Sequence, residues 1–573
     1  MKREASIVLA APAGYGVQTV EEALTTLLMA SGLNVFATRE LMSRIRGGMN
    51  STEIRVSSDR VAAYMRHTDI AVPLSKGALQ HLMTYSHVDK ETLVMGEKEN
   101  LVGLSSLSEN QFYDLPISRI AAEIGGSIYS NSVAVGAIMA LFDIDENLAI
   151  GYFQKRFGSK GDKVVQQNID AYRRGSEFGQ KLVSSGRIQI DIKRDPRISG
   201  HMLLDGAEAV GLGAIAGGCN FISSYPMSPS TPVLIFLSQH SQEFGIIVDQ
   251  AEDEISAMNK GIGAWYAGAR GMVTTSGGGF ALMTEGLSLA GMLESPMVIH
   301  LGQRPGPATG LPTRTEQGDL KHVLNAGHGE FPRVLFAPST IQDAFYLTQR
   351  AFNLADKYQV PVFVLTDQFL LESSYDIPPL NLSGVEVEKQ VIRTDSAYRR
   401  YALTESGISP RGIPSYGDGL VVVDSDEHDE DGHITEDLLL RKKMVDKRFY
   451  RKLERIRKEA IPPELLGSRS CRFLVISWGS NYHVMKEALT KSERRDIAVL
   501  HFNQVYPLHE SVTSYLGKAK KLAIVENNAG CQFGRLLQVE TNISIPAENC
   551  LLKYDGMPFS VEEVVEFLHN LNA

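Results

Sequence analysis

The chain has 573 residues, with 57 lysines and arginines against 67 aspartates and glutamates, a formal charge of −10. That length exceeds what one hydrophobic core serves, so about three to four domains are expected. The acidic balance argues against nucleic acid as a partner, because phosphate binding needs a basic field. No apolar run reaches the roughly 20 residues of a membrane span. Cys219, Cys471, Cys531 and Cys550 form no CxxC pair, which argues against a disulfide framework and against an iron–sulfur cluster held by this chain alone. A cytoplasmic protein with reduced thiols is expected. The opening MKREASIVLAAPAG reads as a buried first strand, not as a signal peptide.

Residues 1–195 form the first segment. A strand over 6–10, a turn at Gly14-Tyr15-Gly16, a helix over 20–30 and a strand over 34–38 make a βαβ start. The second segment, 196–375, alternates helices with strands at 246–249, 272–275, 297–301, 334–337 and 360–366. Such alternation indicates a parallel sheet covered on both faces. Pro and Gly break the pattern over 376–465, where the acidic block DSDEHDED precedes the basic block RKKMVDKRFYRKLERIRK. In the basic block Val445, Phe449, Leu453 and Ile456 recur at helical spacing. An amphipathic linker helix with a solvated charged face is expected; a docking patch for an acidic electron carrier is the alternative. A third α/β domain follows over 466–573, with strands at 473–477, 497–502 and 522–526.

Five stretches offer chemistry. GYGVQT resembles a phosphate-binding GxGxxG turn with Thr19 in place of the third glycine; a plain β–α turn explains it equally. Arg44 and Arg46 precede Gly47-Gly48 and suit a phosphate grip or a salt-bridged loop. Ser228 followed by Pro229 reads as a helix cap with proline at the first helical position, or as an anion-capturing helix start. Glu254 opens a helix rich in small residues, and Gly277-Gly278-Gly279 lets a backbone approach something bulky. The loop GQRPGPATGLPTRTEQGDL carries Arg304 and Arg314 at the end of a strand, where parallel sheets build ligand sites. Gly417-Asp418-Gly419 imitates the start of a thiamine-diphosphate/Mg²⁺ motif. No Asn lies between Gly419 and Asn481, so the pair that would coordinate Mg²⁺ is missing and a plain turn is expected. His428, Asp429, Glu430, Asp431 and His433 suit a metal or, preferably, a solvated acidic loop.

Taken in order, YPMSPS, AEDEISA…GARGM…TSGGGFALM, GPATGLPTRTEQGDL, WGSNYHVMKEAL and IVENNAG resemble the 2-oxoacid:ferredoxin oxidoreductase family, in the form whose α-type subunit carries a γ-type domain at its N-terminus. RIRGG fits that γ-type domain. The resemblance implies an α/β fold of three domains: a γ-type domain that covers CoA, a doubly wound parallel sheet of the pyrimidine-binding type, and a transketolase-C-terminal-like domain. It assigns Glu254 to the thiamine pyrimidine as the catalytic acid. It assigns Ser228, within Tyr225-Pro226-Met227-Ser228, and Arg314 to the substrate's 1-carboxylate, meeting at the C-terminal edge of one sheet. Gly14, Gly16, Arg44 and Arg46 fall to CoA. AGYGVQ departs from the family's GxGGQG, and Ser228 replaces a threonine but keeps the hydroxyl. A β-type partner is implied, in an α2β2 assembly, to supply Mg²⁺ and a 4Fe–4S cluster, with thiamine diphosphate at the interface and ferredoxin as acceptor. The substrate implied is 2-oxoglutarate, with pyruvate, branched-chain or aryl 2-oxoacids as alternatives. Readings from other classes are a dinucleotide-binding redox subunit and a non-catalytic scaffold.

Overall fold

The computed structural model describes residues 3–42, 48–85 and 87–571; Arg44 and Arg46 lie outside them. The chain divides into two compact units. The first comprises Met1–Leu204, Glu372–Asn381 and Ser560–Glu562, and the second the remainder.

The first unit is built on an eight-stranded sheet. Its centre is the strand Glu4–Pro12, whose apolar run IVLAA is buried throughout, as a strand covered on both faces requires. This strand pairs parallel with Ile70–Pro73, which pairs parallel with Leu93–Gly96, which in turn pairs parallel with Phe112–Asp114. The expected strand–helix–strand start is present, with its two strands parallel to each other. Glu4–Pro12 and Asn34–Glu40 are not neighbours, because Met49–Ser57 inserts between them, antiparallel to both. Its sequence, MNSTEIRVS, is polar enough to hide a strand that is buried almost throughout. The helix between them, Val17–Ala30, starts behind Gly16, whose φ of 80° suits glycine. It buries Val17, Val20, Leu24, Leu27 and Leu28 on one face.

The second unit contains two sheets. The larger has the spatial order Gln504–Tyr506, Val334–Phe336, Pro361–Asp367, Met297–Gln303, Gly271–Thr275, Phe221–Ser224, Ile247–Gln250. Every pair is parallel except the first. From Phe221–Ser224 the chain moves outward to Ile247–Gln250, then returns to Gly271–Thr275 on the other side and winds away. The winding therefore reverses between Phe221–Ser224 and Gly271–Thr275, and crevices at strand C-terminal ends beside such a reversal bind ligands. The smaller sheet runs Glu464–Gly467, Ile497–Phe502, Phe473–Trp478, Lys521–Glu526, Cys550–Leu552.

The segment expected as a linker is packed into this unit; most charges of its basic block face solvent as expected, but Lys447, Arg448 and Lys452 are buried. The basic block forms Leu438–Val445, a π-helical stretch Asp446–Arg451 and the helix Lys452–Lys458. Lys447 and Lys452 are 0% and 1% exposed. Both pair with the buried Glu294, Lys447 at 2.8 Å. Burial works to raise the Glu294 carboxyl; the two ammonium groups overcome this and hold it well below the usual range. The π-helical turn widens the helix and swings lysines onto a face that even α-helical spacing assigns to water. The acidic loop is likewise docked. His428 is buried against the Tyr401 ring at 3.8 Å, and Glu427 pairs with Arg441 and Arg448. Gly417-Asp418-Gly419 is a turn fastened to Thr394, whose carbonyl accepts from the Asp418 N–H at 2.9 Å. Among the described residues no single helix is long and apolar enough to cross a membrane.

Candidate active site

Four loops converge at the C-terminal edge of the larger sheet. The first follows Phe221–Ser224. The Ser224 hydroxyl donates to the Thr274 carbonyl at 2.6 Å, tying this strand to Gly271–Thr275. Tyr225 and Pro226 then enter a turn in which the Ser230 and Thr231 N–H groups donate to the Met227 carbonyl. The helix begins at Thr231 with Ser230 at the N-cap, so Ser228 does not cap it. A cis bond joins Ser228 to Pro229, and the Ser228 carbonyl accepts from Arg304 Nη1 at 2.5 Å.

The second loop follows Ile247–Gln250 and delivers Glu254 as the first residue of the helix Glu254–Tyr266. The Asp253 carboxylate takes the capping duty, accepting from the Ser256 N–H at 2.8 Å. Glu254 is thereby released from capping. It is 3% exposed, and its Oε1 has no hydrogen-bond partner. Burial pushes its carboxyl above the ordinary range; a backbone N–H opposes this and Asp253 adds to it. An orphaned buried carboxyl oxygen is costly to maintain in a stable fold.

The third loop is Ser276–Phe280. A Cβ on Gly279 would lie 2.3 Å from Glu254 Oε1, and one on Gly277 would lie 2.2 Å from Asp319 Oδ1. Both glycines are therefore required by a carboxylate. Four sealed polar atoms without hydrogen-bond partners surround this turn: Glu254 Oε1, Ser276 Oγ, Asp319 Oδ2 and His322 Nε2. His322 also meets the Phe280 ring edge-on at 5.1 Å.

The fourth loop, after Met297–Gln303, holds Arg304, Arg314 and Asp319. It is locked by Gln317, which is buried and makes five hydrogen bonds to the smaller sheet's loops. Its N–H donates to the Asn527 carbonyl at 2.7 Å and its Nε2 to the Trp478 carbonyl at 2.9 Å. Its Oε1 accepts from Asn481 Nδ2 and the Asn527 N–H, and its carbonyl accepts from Asn528 Nδ2. WGSN and VENN thus act as a clamp on TEQGD. Gln317, Asn527 and Asn528 lie in the TEQGDL and IVENNAG stretches, but the sequence alone does not show that they bond to one another.

The structure thus places Glu254 and the triple glycine together, and seats Arg304 on the Ser228 loop. Arg314 lies elsewhere on its loop, its Nη1 3.2 Å from the Met557 sulfur. In the first unit, Gly14 and Gly16 line a cavity of about 610 Å³ with Pro73, Ser75, Glu97 and Asn131, at the C-terminal ends of the parallel strands.

The family described as "Pyruvate flavodoxin/ferredoxin oxidoreductase, thiamine diP-bdg" matches residues 212–447, and "Pyruvate ferredoxin/flavodoxin oxidoreductase" matches residues 6–178. The chain is 31% identical to a 2-oxoacid:ferredoxin oxidoreductase subunit alpha from a Sulfolobus species, over 98% of this chain and 96% of that protein. It is 32% identical to the 2-oxoglutarate synthase subunit KorA of Archaeoglobus fulgidus, over 57% of this chain and 88% of that protein. A solved 2-oxoglutarate:ferredoxin oxidoreductase from Magnetococcus marinus, with 2-oxoglutarate, coenzyme A and succinyl-CoA bound, superposes with a TM-score of 0.89 at 28% identity over 99% of both chains. The doubly wound sheet and the matched thiamine-binding region define an α/β oxidoreductase subunit. The chain belongs to the 2-oxoacid:ferredoxin oxidoreductase family, as an α-type subunit.

Proposed function

We propose that this chain is the α subunit of a CoA-acylating 2-oxoglutarate:ferredoxin oxidoreductase. The reaction is 2-oxoglutarate plus CoA plus two oxidised ferredoxins to succinyl-CoA, CO₂, a proton and two reduced ferredoxins. The observation that carries this reading is the buried, orphaned Oε1 of Glu254 beside the Gly277–Gly279 turn. A carboxyl held dry and raised in pKa is suited to keep a proton for an aminopyrimidine nitrogen. Thiamine diphosphate, when bound, supplies the stabilised carbanion that 2-oxoacid decarboxylation requires. Ser228 and Arg314 are assigned to the substrate's 1-carboxylate, with Tyr225 and Pro226 shaping the turn. Gly14 and Gly16 are assigned to CoA. The cavity that they line includes an acid, Glu97, so the phosphates must be gripped from elsewhere. The GDG turn at 417–419, fastened to Thr394, is no diphosphate site. A β-type partner is therefore assigned the Mg²⁺, the diphosphate and a 4Fe–4S cluster, and ferredoxin the electrons.

The preference for 2-oxoglutarate over pyruvate rests on the names of the Magnetococcus and Archaeoglobus relatives. The test is co-expression with the β-type partner and a panel of 2-oxoacids with reduced ferredoxin as readout. Succinyl-CoA formation, with Glu254→Gln lowering turnover at least about 10²-fold, is expected. Faster turnover of pyruvate would reassign the substrate, and an active Glu254→Gln complex would move the site.

A further inference from the structure

Asp319 is an ionisable side chain at the glycine turn that neither thiamine chemistry nor a carboxylate clamp uses. It stands at the N-cap of the helix Leu320–Asn325, yet its side chain makes no capping hydrogen bond. Its backbone N–H donates to Gln303 Oε1 at 3.1 Å, so its position is fixed by the residue next to Arg304. Oδ1 presses on Gly277, where no Cβ fits, and Oδ2 is sealed without a partner. A capping role would turn the carboxylate toward the helix; here it is turned toward the turn that Glu254 also approaches.

The charges around it decide what it can do. Glu316 precedes it on the same loop and raises its carboxyl; Arg304, after the Met297–Gln303 strand, lowers it. Glu254, on the helix Glu254–Tyr266, meets the same glycine turn from Gly279. His322 lies one helical turn on, its own pKa lowered by burial, and the exposed Lys321 stands two residues after Asp319. Two carboxyl groups, Glu254 and Asp319, thus press on one glycine turn, and Arg304 reaches the Ser228 loop. An anionic substrate approaching that turn is repelled by each ionised carboxylate.

We propose that Asp319 couples binding of the 2-oxoacid anion to uptake of one proton: ionised Asp319, sealed against the glycine turn that Glu254 also meets, repels the anion, and neutral Asp319 does not. Asp319 acts in this sense through the charge of the pocket, without touching the reacting atoms. The inference rests on the function proposed above, because it takes an anionic 2-oxoacid as the ligand. Burial, with Glu316, raises the Asp319 carboxyl to about 7, which puts the switch in the physiological range.

The test uses the complete α/β complex. The KM for 2-oxoglutarate is measured from pH 6 to pH 8.5, together with calorimetric binding of N-oxalylglycine, a dicarboxylate isostere with a poorly electrophilic amide carbonyl. Calorimetry in buffers of different ionisation enthalpy counts the protons taken up. KM is expected to rise about tenfold from pH 6 to pH 8, the slope of one linked proton. Close to one proton per site is taken up at pH 8. Asp319→Asn should flatten the KM profile, and Asp319→Glu should restore a slope. A KM that changes less than threefold in the wild-type complex, or binding without proton uptake, overturns the inference even where Asp319→Asn fails to assemble. An unchanged slope in Asp319→Asn also overturns it, pointing to Glu316 or Glu254. Absence of turnover with every 2-oxoacid would sink the parent reading and this one together.

Discussion

Gly279 and Glu254 are fitted to each other: a methyl group on Gly279 would sit 2.3 Å from Glu254 Oε1 and 2.4 Å from the Thr275 hydroxyl. Its neighbour Gly278 has room, with the nearest atom, the Ala308 carbonyl oxygen, at 3.4 Å. Gly279→Ala should therefore displace the Glu254 carboxyl while Gly278→Ala leaves it in place. Overpacking of this kind costs about 1–3 kcal/mol, and activity is expected to fall at least about tenfold in Gly279→Ala. Equal activities in the two variants would show that the Glu254 position does not limit turnover.

Glu254 should be a destabilising residue. Its folded pKa is raised above the unfolded value, so the stability associated with it is present at low pH, where both states are protonated. It is lost as pH rises through the folded value. Glu254→Gln removes the penalty and is expected to raise the melting temperature at pH 8 while abolishing turnover, with the gain vanishing near pH 4. A variant melting below wild type at pH 8 would mean that the carboxylate is stabilised by something in the pocket.

The sequence made this arrangement legible to different depths. Strands such as Ile497–Phe502 and Met297–Gln303 are uninterrupted apolar runs, and a parallel sheet is their usual setting. Glu254 and the triple glycine were visible because small residues and an acid follow strand ends. Met49–Ser57 was not visible: its polar alternation, with buried Thr52, Glu53 and Arg55, depends on partners distant in sequence. Three buried cations within the otherwise solvated charged face escape for a related reason. Lys447 and Lys452 look solvated until Glu294, some 150 residues away, is placed between them. Gln317 carries no local signal, since its partners are loops about 160 and 210 residues further on.

The Glu294 cluster can be tested by removing its acid. Glu294→Gln leaves two buried ammonium groups without their counter-charge, and breaking a buried pair this way costs about 3–5 kcal/mol. Glu294 has a depressed folded pKa, so its contribution is present above the unfolded carboxyl value near 4 and is lost as pH falls toward the folded value. The deficit between wild type and Glu294→Gln should therefore be full at pH 7 and shrink on acidification. Chemical denaturation at several pH values measures it. A pH-independent deficit would mean that the loss is one of packing.

Arg304 and Arg314 stand ten residues apart on one loop but in different surroundings, and this separates their expected phenotypes. Arg304 Nη1 holds the Ser228 carbonyl, whereas Arg314 packs beside Gly556 and Met557. Arg304→Ala releases the turn that shapes the Ser228 corner. It should lower thermal stability and raise KM together, by about 1.5–3 kcal/mol for a charged hydrogen bond. Arg314→Ala, if the residue pairs with the 1-carboxylate, should raise KM by about 2–5 kcal/mol for every 2-oxoacid alike, because all carry that group. Ser228→Ala should raise KM by about 1 kcal/mol, as one neutral hydrogen bond does, without lowering the melting temperature. That last expectation follows from the helix start: Ser230 occupies the N-cap, so the Ser228 hydroxyl has no capping duty to lose. A melting loss in Ser228→Ala with KM unchanged would return the residue to a structural role. A changed preference between pyruvate and 2-oxoglutarate in Arg314→Ala would make that arginine a reader of the substrate's side chain, and Arg304 would then be the better candidate for the 1-carboxylate.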